Sequence, residues 1–65
     1  MTLKIGSKVL VKDNAFGDSM DREDVEARGK TGEIVWMELD GRIEVQTDDD
    51  FLPLTVDEVE ELPDD

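Results

Sequence analysis

Histidine and cysteine are both absent from this sequence of 65 residues, and their absence removes much catalytic chemistry. Histidine is the commonest general base near neutral pH, and cysteine provides thiolate nucleophiles, disulfides and zinc ligands. The only serines are Ser7 and Ser19, and the chain has no histidine to activate either of them. So small a domain also has little room for the cleft that a pair of catalytic carboxylates needs. We therefore predict a protein that is not an enzyme and that has no cofactor.

Basic side chains are scarce: 7 Lys and Arg stand against 19 Asp and Glu, for a formal net charge of -12. Affinity for nucleic acid comes largely from cationic side chains, so we predict no direct binding to nucleic acid or to anionic membranes. The C-terminal acids are Asp48, Asp49, Asp50, Asp57, Glu58, Glu60, Glu61, Asp64 and Asp65. Two interpretations of this acidic end stay open: a solvated face with a tail, or a surface that recognises a basic partner.

Long apolar runs are also lacking, so the sequence predicts no signal peptide and no membrane span. This favours a cytoplasmic protein. The length predicts a single domain over residues 1–62, followed by an acidic tail over residues 63–65. A domain of this size buries only about 60% of the surface that its unfolded chain exposes, so its core is thin.

The first strand is predicted at Lys8–Lys12, where Val9 and Val11 alternate inward together with Ile5. Residues 13–30 are polar and predict a long loop with one helical turn that ends at Gly29. Phe16 and Met20 are the large apolar side chains of this loop. They either pin the loop to the core or form an exposed contact.

The clearest local signal is Asp40-Gly41 between two β-rich runs, which predicts a hairpin with a two-residue turn. Counting back from that turn pairs Trp36 with Val45 and Ile34 with Thr47. The predicted core face then carries Ile34, Trp36, Ile43 and Val45, with an exposed binding anchor as the alternative for Trp36. The other face carries Val35, Met37 and Leu39, which form either an exposed patch for a partner or a second core layer under the long loop.

The last third begins with Asp48-Asp49-Asp50, which predicts a turn, and continues with the apolar run Phe51-Leu52-Pro53-Leu54. Pro53 restricts that run to an edge strand or a strand end. Thr55-Val56-Asp57-Glu58 resembles a capping box and predicts one helical turn. The residues after it, up to Leu62, fit either a further turn of helix or a bulged last strand. Together these elements predict an all-β fold of about five strands, either a small barrel or a sheet folded on itself.

This order of segments resembles the SH3-like small barrels, and among them the KOW-type and photosynthetic accessory-subunit forms. The resemblance rests on Ile5-Gly6-Ser7-Lys8-Val9-Leu10-Val11, on Gly32 before the second strand, and on Val56–Leu62 at the end. It implies a barrel with a long first loop and a short helical turn near the C-terminus, and no cofactor or catalytic residue. KOW-type domains bind RNA through basic residues of their loops. In this sequence, only Arg28 and Lys30 lie near the corresponding turn. Accessory subunits instead dock on larger proteins, which suits the acidic composition better.

The carboxylate clusters do not predict a metal site. Asp18, Asp21 and Asp24 recur every third residue and Asp48–Asp50 are contiguous, whereas the calcium-binding loop needs acids at alternate positions and a closing Glu.

We therefore expect an acidic protein-binding module, monomeric or weakly oligomeric, that acts as an accessory or regulatory subunit or as a small inhibitor, such as a viral one. Its partner is expected to be a larger protein with a basic surface. The candidate partner-binding residues are Phe16, Met20, Val35, Met37, Leu39, Asp48, Asp49 and Asp50. Two alternatives stay open: a nucleic-acid mimic that blocks a DNA- or RNA-binding protein, and a KOW-like domain associated with ribosome or polymerase.

Overall fold

The computed structural model describes residues 3–63 and contains five strands, one short helix and one 3-10 turn. In chain order these are β1 (Lys8–Val11), α1 (Arg22–Ala27), β2 (Thr31–Met37), β3 (Arg42–Gln46), β4 (Phe51–Thr55), the 3-10 turn (Val56–Glu58) and β5 (Val59–Glu61). The acids of the predicted tail, Asp64 and Asp65, lie outside the described residues.

The strands form one antiparallel sheet in the order β4-β3-β2-β1-β5. Neighbours in sequence are neighbours in the sheet, except that β5 returns to pair with β1 through the 3-10 turn. The all-β prediction is confirmed: the strand number, the long first loop and the helical turn before the last strand are those expected of the SH3-like barrel. For the residues after the 3-10 turn, a further turn of helix and a last strand were both predicted as alternatives. β5 shows that they form a strand.

All five strands contribute to one core. Its buried side chains are Val9, Val11, Ala15, Ile34, Ile43, Val45, Leu54 and Val59. Val9 and Val11 are buried as their alternation predicts, whereas the inward placement predicted for Ile5 is wrong, since this residue is 56% exposed. Ile5 precedes β1 and its turn at Gly6 has φ +98°, so the alternation of the strand does not extend back to it.

The register predicted for the β2–β3 hairpin is wrong, because both the length of the turn and the pairing of the strands differ from the prediction. Ile34 faces Val45 rather than Thr47, and Trp36 faces Glu44 rather than Val45. The connection is longer than two residues, because the Glu38 N–H donates to the Arg42 carbonyl at 2.7 Å and Gly41 adopts φ +96°. A register shift between Ile34 and Trp36 then leaves Val35 as an extra residue, which turns Trp36 to the exposed side.

The first loop is ordered by two side chains that bond to its backbone. The Arg28 guanidinium donates to the carbonyls of Ala15 (2.8 Å) and Ser19 (2.9 Å). The Glu58 carboxylate accepts the N–H of Phe16 at 2.7 Å, where Phe16 adopts φ +65°, a conformation that side chains other than glycine rarely adopt. The predicted helical turn in this loop is confirmed as α1, and Gly29 beyond its end has φ +90°.

The C-terminal corner contains the predicted capping box. Glu58 Oε1 accepts the backbone N–H of Thr55 at 2.9 Å, and the 3-10 turn begins directly after Thr55. Within residues 3–63, no helix is long and apolar enough to cross a membrane.

Candidate protein-binding face

The exposed side of β2, β3 and β4 carries the aromatic and proline side chains of the sheet. Two rows of paired residues cross it: Trp36–Glu44–Pro53, and Glu33–Gln46–Phe51. We call this surface the outer sheet face, defined by Trp36, Glu44, Gln46, Phe51 and Pro53. Trp36 and Pro53 flank the same β3 residue, so their Cα atoms lie roughly 10 Å apart, twice the spacing of neighbouring strands.

Trp36 is the only tryptophan of the chain, and 56% of it is exposed. Its placement in the core face is therefore a wrong prediction, and the bulge at Val35 is the physical reason. The indole N–H donates to Glu38 Oε2 at 2.6 Å, which satisfies the polar edge of the ring and fixes its orientation. The ring is thus presented to solvent in a defined position.

The tip of the hairpin extends this surface with Leu39, whose side chain is fully exposed. Trp36, Met37, Glu38, Leu39, Asp40 and Arg42 line a shallow depression there. Arg42 donates from its backbone N–H and from Nε to the Asp40 carboxylate, the latter at 2.8 Å. These contacts, the backbone hydrogen bond above all, lower the pKa of Asp40 below its ordinary value, so Asp40 stays ionised and neutralises Arg42. The uncompensated charge at the tip is therefore that of Glu38.

β4 forms one edge of the sheet, and Pro53 interrupts the row of N–H donors along that edge. Thr47 N–H donates to Asp50 (2.8 Å) and Val56 N–H to Gly41 (3.0 Å) at the two ends of the β3–β4 ladder. Because bonded and non-bonded pairs alternate, Pro53 opposes Glu44 in a non-bonded pair and its nitrogen faces the open edge. Pro53 has no N–H to offer there, as its predicted edge position requires.

A groove runs between the first loop, α1 and β4. Phe16 and α1 residues Glu23 and Asp24 line one side, and Asp50 with Phe51, Leu52 and Pro53 line the other. Every charged residue of this lining is acidic, and Phe51 is 59% exposed. We call it the acidic groove.

The structure does not gather the predicted partner-binding residues into one place. Met37 and Leu39 lie at the hairpin tip, but Met37 also packs against the core and Val35 is half-buried, so these residues form neither a continuous exposed row nor a second core layer. Phe16 packs against the core, and it lines the acidic groove on the side opposite Asp50. Asp48 and Asp49 border a separate depression beside Gly29 and Lys30.

Met20 lies in the first loop and is 83% exposed, so it does not pin that loop to the core. Each alternative therefore holds for one of the two large apolar residues of the loop. Phe16 pins the loop to the core, and Met20 is exposed.

Several basic side chains are engaged within the molecule. Lys8 pairs with Glu33 (3.3 Å), Arg22 with Glu26 (3.3 Å) and Arg42 with Asp40 (2.8 Å), while Arg28 holds the carbonyls of the first loop. Arg28 is one of the residues that a KOW-type interface would use, and here its Nε and Nη2 donate to carbonyls of the first loop. Over residues 3–63, the carboxylates nowhere form a group of three or more that could hold a metal ion.

No family model matches the chain, and neither a curated protein nor a solved structure matches it.

Exposure of Trp36 was the alternative predicted from the sequence, whereas the place of Phe51 beside Pro53 on this surface was not predicted. Only Pro53 carried a signal, since its edge position was predicted; a search for aromatic residues next to an edge proline would have found Phe51.

Proposed function

We propose that this protein is a non-catalytic protein-binding module that docks on a larger protein through the outer sheet face, with Trp36 as its anchor. The observation that supports this most is the exposed tryptophan whose N–H is already bonded to Glu38 in the free chain. Tryptophan is among the residues that contribute most to binding energy at interfaces. A ring that is already oriented loses less conformational freedom on binding than a mobile one.

The neighbourhood of Trp36 supports the same proposal. Leu39 is fully exposed at the hairpin tip, and Phe51 is largely exposed two strands away on the same face. An isolated apolar side chain on a surface needs no explanation, but several on one face of a small domain indicate a contact surface.

The charge of the chain indicates what kind of protein would bind. A formal charge of -12 attracts a basic surface and accelerates the encounter, while it repels nucleic acid and anionic lipid. We propose a basic protein partner in the cytoplasm, with the present chain as its accessory, regulatory or inhibitory subunit.

The test is capture of the partner by the immobilised chain, its identification and purification, and titration of the purified pair. The double variant Trp36→Ala/Leu39→Ser is expected to raise Kd by at least about tenfold, since loss of a central aromatic residue often costs about 2 kcal/mol or more. Ile5→Ala is the matched control, because Ile5 and Trp36 are equally exposed at 56% and Ile5 precedes β1. Unchanged affinity of the double variant would refute the proposal.

The nucleic-acid mimic stays the second candidate, because Asp48, Asp49 and Asp50 are contiguous and all exposed in the loop between β3 and β4. Under this alternative the partner is a nucleic-acid-binding protein, and DNA or RNA competes with the present chain for it. Neutralising Asp48 and Asp49 together to Asn should then weaken binding more than Trp36→Ala does. The opposite order favours the docking module.

A further inference from the structure

We propose that the acidic groove is a binding site for an arginine or lysine side chain on an extended segment of the partner. This inference rests on the proposed function, since it names the chemistry of the partner at one end of the outer sheet face. Three features carry it: the shape of the groove, the sign of its charge, and the exposed ring of Phe51 at its wall.

The charge of the groove is uncompensated by its own lining. Glu23, Asp24 and Asp50 contribute three carboxylates, and the lining holds no basic residue among residues 3–63. The Asp24 carboxylate accepts a hydrogen bond from the Ser19 hydroxyl, which orients it. Carboxylates that line a concave surface attract a cation more strongly than the same charges spread over a convex one.

The apolar part of the groove suits the rest of a long basic side chain. Phe51 and Pro53 are exposed on the β4 side, and Phe16 lies on the opposite side. Arginine and lysine lay their methylene stems along apolar surface while the charged head stays among polar groups. A guanidinium also stacks favourably on an aromatic face.

The first-loop side of the groove is held by hydrogen bonds within the chain. Phe16 is held by its N–H bond to Glu58 at 2.7 Å, and Arg28 holds the adjacent loop carbonyls. The edge of β4 offers no donor at Pro53, and the Thr55 N–H is already taken by Glu58 at 2.9 Å. A strand added at this edge would therefore find no donor at Pro53 or at Thr55.

The groove is continuous with the docking surface of the proposed function. Pro53 lines the groove and also lies in the row that crosses the sheet to Glu44 and Trp36. An extended segment that passes over this row would place an apolar residue against Trp36 and a basic residue in the groove.

The experiment uses a short capped peptide of alternating glycine and arginine, with its citrulline counterpart as the uncharged control. Titration into the isotopically labelled chain, followed by amide chemical shifts, should move the amides of Glu23, Asp24, Phe51 and Leu52. The citrulline peptide should not move them. Equal effects of both peptides, or shifts confined to other parts of the chain, would overturn the inference.

Two variants of equal net charge separate this site from general attraction to an acidic protein. Glu23→Gln/Asp50→Asn neutralises two groove acids, and Asp57→Asn/Glu60→Gln neutralises two exposed acids of the 3-10 turn and β5. The groove variant is expected to bind the arginine peptide roughly fivefold more weakly, and the control less than about twofold. Equal weakening of both would mean that only overall charge matters.

Binding of the purified partner to the same groove variant distinguishes a failure of this inference from a failure of the proposed function. If the groove variant binds the partner as the original chain does while Trp36→Ala/Leu39→Ser does not, the groove is not a site but the docking module stands. If Trp36→Ala/Leu39→Ser binds normally, the proposed function itself fails.

Discussion

Glu58 accepts hydrogen bonds from two segments that are far apart in the sequence. One carboxylate oxygen takes the N–H and the hydroxyl of Thr55, at 2.9 Å and 3.2 Å, and the other takes the N–H of Phe16 at 2.7 Å. The capping box was visible in the sequence because it spans adjacent residues. The bond to Phe16 was not, since 42 positions separate the two residues and no local pattern records such a contact.

Replacement of Glu58 by Gln is expected to destabilise the fold by about 1–3 kcal/mol, because an amide offers one acceptor oxygen where the carboxylate uses two. Thermal unfolding followed by circular dichroism measures this as a fall of about 4–8 °C for each kcal/mol. Glu60→Gln is the control, since it removes the same charge from an exposed position on β5. Equal melting temperatures for the two variants would contradict this account of Glu58.

Gly32 lies where β2 passes very close to β3. A Cβ atom placed there would lie 2.5 Å from the Gln46 carbonyl oxygen and 2.7 Å from Val45 Cγ1. Since one of these neighbours is backbone, a shift of the whole strand is needed to relieve the contact.

Gly32→Ala should therefore cost about 1–3 kcal/mol, as overpacking of a well-packed site does. Denaturant titration gives the free energy of unfolding, and Thr31→Ala at the exposed neighbouring position is the control. Gly32 does not adopt a positive φ, so without the close approach alanine would stabilise the chain by restricting its unfolded state. A gain in stability would thus refute the steric argument.

At the scale of the element, both edges of the sheet resist pairing with another strand. β5 is short, at three residues, and carries Glu60 and Glu61. β4 has Pro53 at its open edge, and its Thr55 N–H is capped by Glu58. Short, charged or proline-containing edges are how β proteins avoid edge-to-edge association.

Pro53→Val is expected to increase self-association, because it restores an N–H at the open edge and adds a residue that favours strands. Sedimentation velocity over a range of concentrations measures this. Gln46→Val adds the same side chain on β3, inside the sheet, where no edge donor is created. If both variants self-associate to the same degree, the added hydrophobic side chain, rather than the open edge, is responsible for the association.

In the β2–β3 hairpin, the strands and the turn could be predicted from the sequence, but the register could not. Asp40-Gly41 located the turn and the two strands, and Ile34, Ile43 and Val45 are buried as predicted. The bulge at Val35 has no signature in the sequence, and one extra residue moves each following side chain to the opposite face. Trp36 became exposed and Met37 partly buried for this reason alone, and the candidate site changed with them.

At the scale of the whole molecule, like charges dominate the surface. The ion pairs found across residues 3–63 are Lys8–Glu33, Arg22–Glu26 and Arg42–Asp40, and all of them are exposed. Exposed pairs contribute little to stability, whereas a net charge of -12 repels itself throughout the folded chain.

Added salt should therefore stabilise the fold, because screening weakens the repulsion between carboxylates. The melting temperature is expected to rise by a few degrees, about 4 °C or more, between roughly 10 mM and 500 mM sodium chloride at neutral pH. Potassium chloride at the same ionic strength is the control for a specific ion effect. A fall in melting temperature would mean that attractive pairs outweigh the repulsion.

The central claim is that the outer sheet face, with Trp36 as its anchor, is where a basic protein binds. It is tested most directly by amide chemical-shift mapping of the labelled chain during titration with the purified partner. We predict that the largest changes fall on Trp36, Leu39, Glu44 and Phe51, while β1 and β5 change little. Changes centred on β1 and β5, with Trp36 unaffected, would contradict the account.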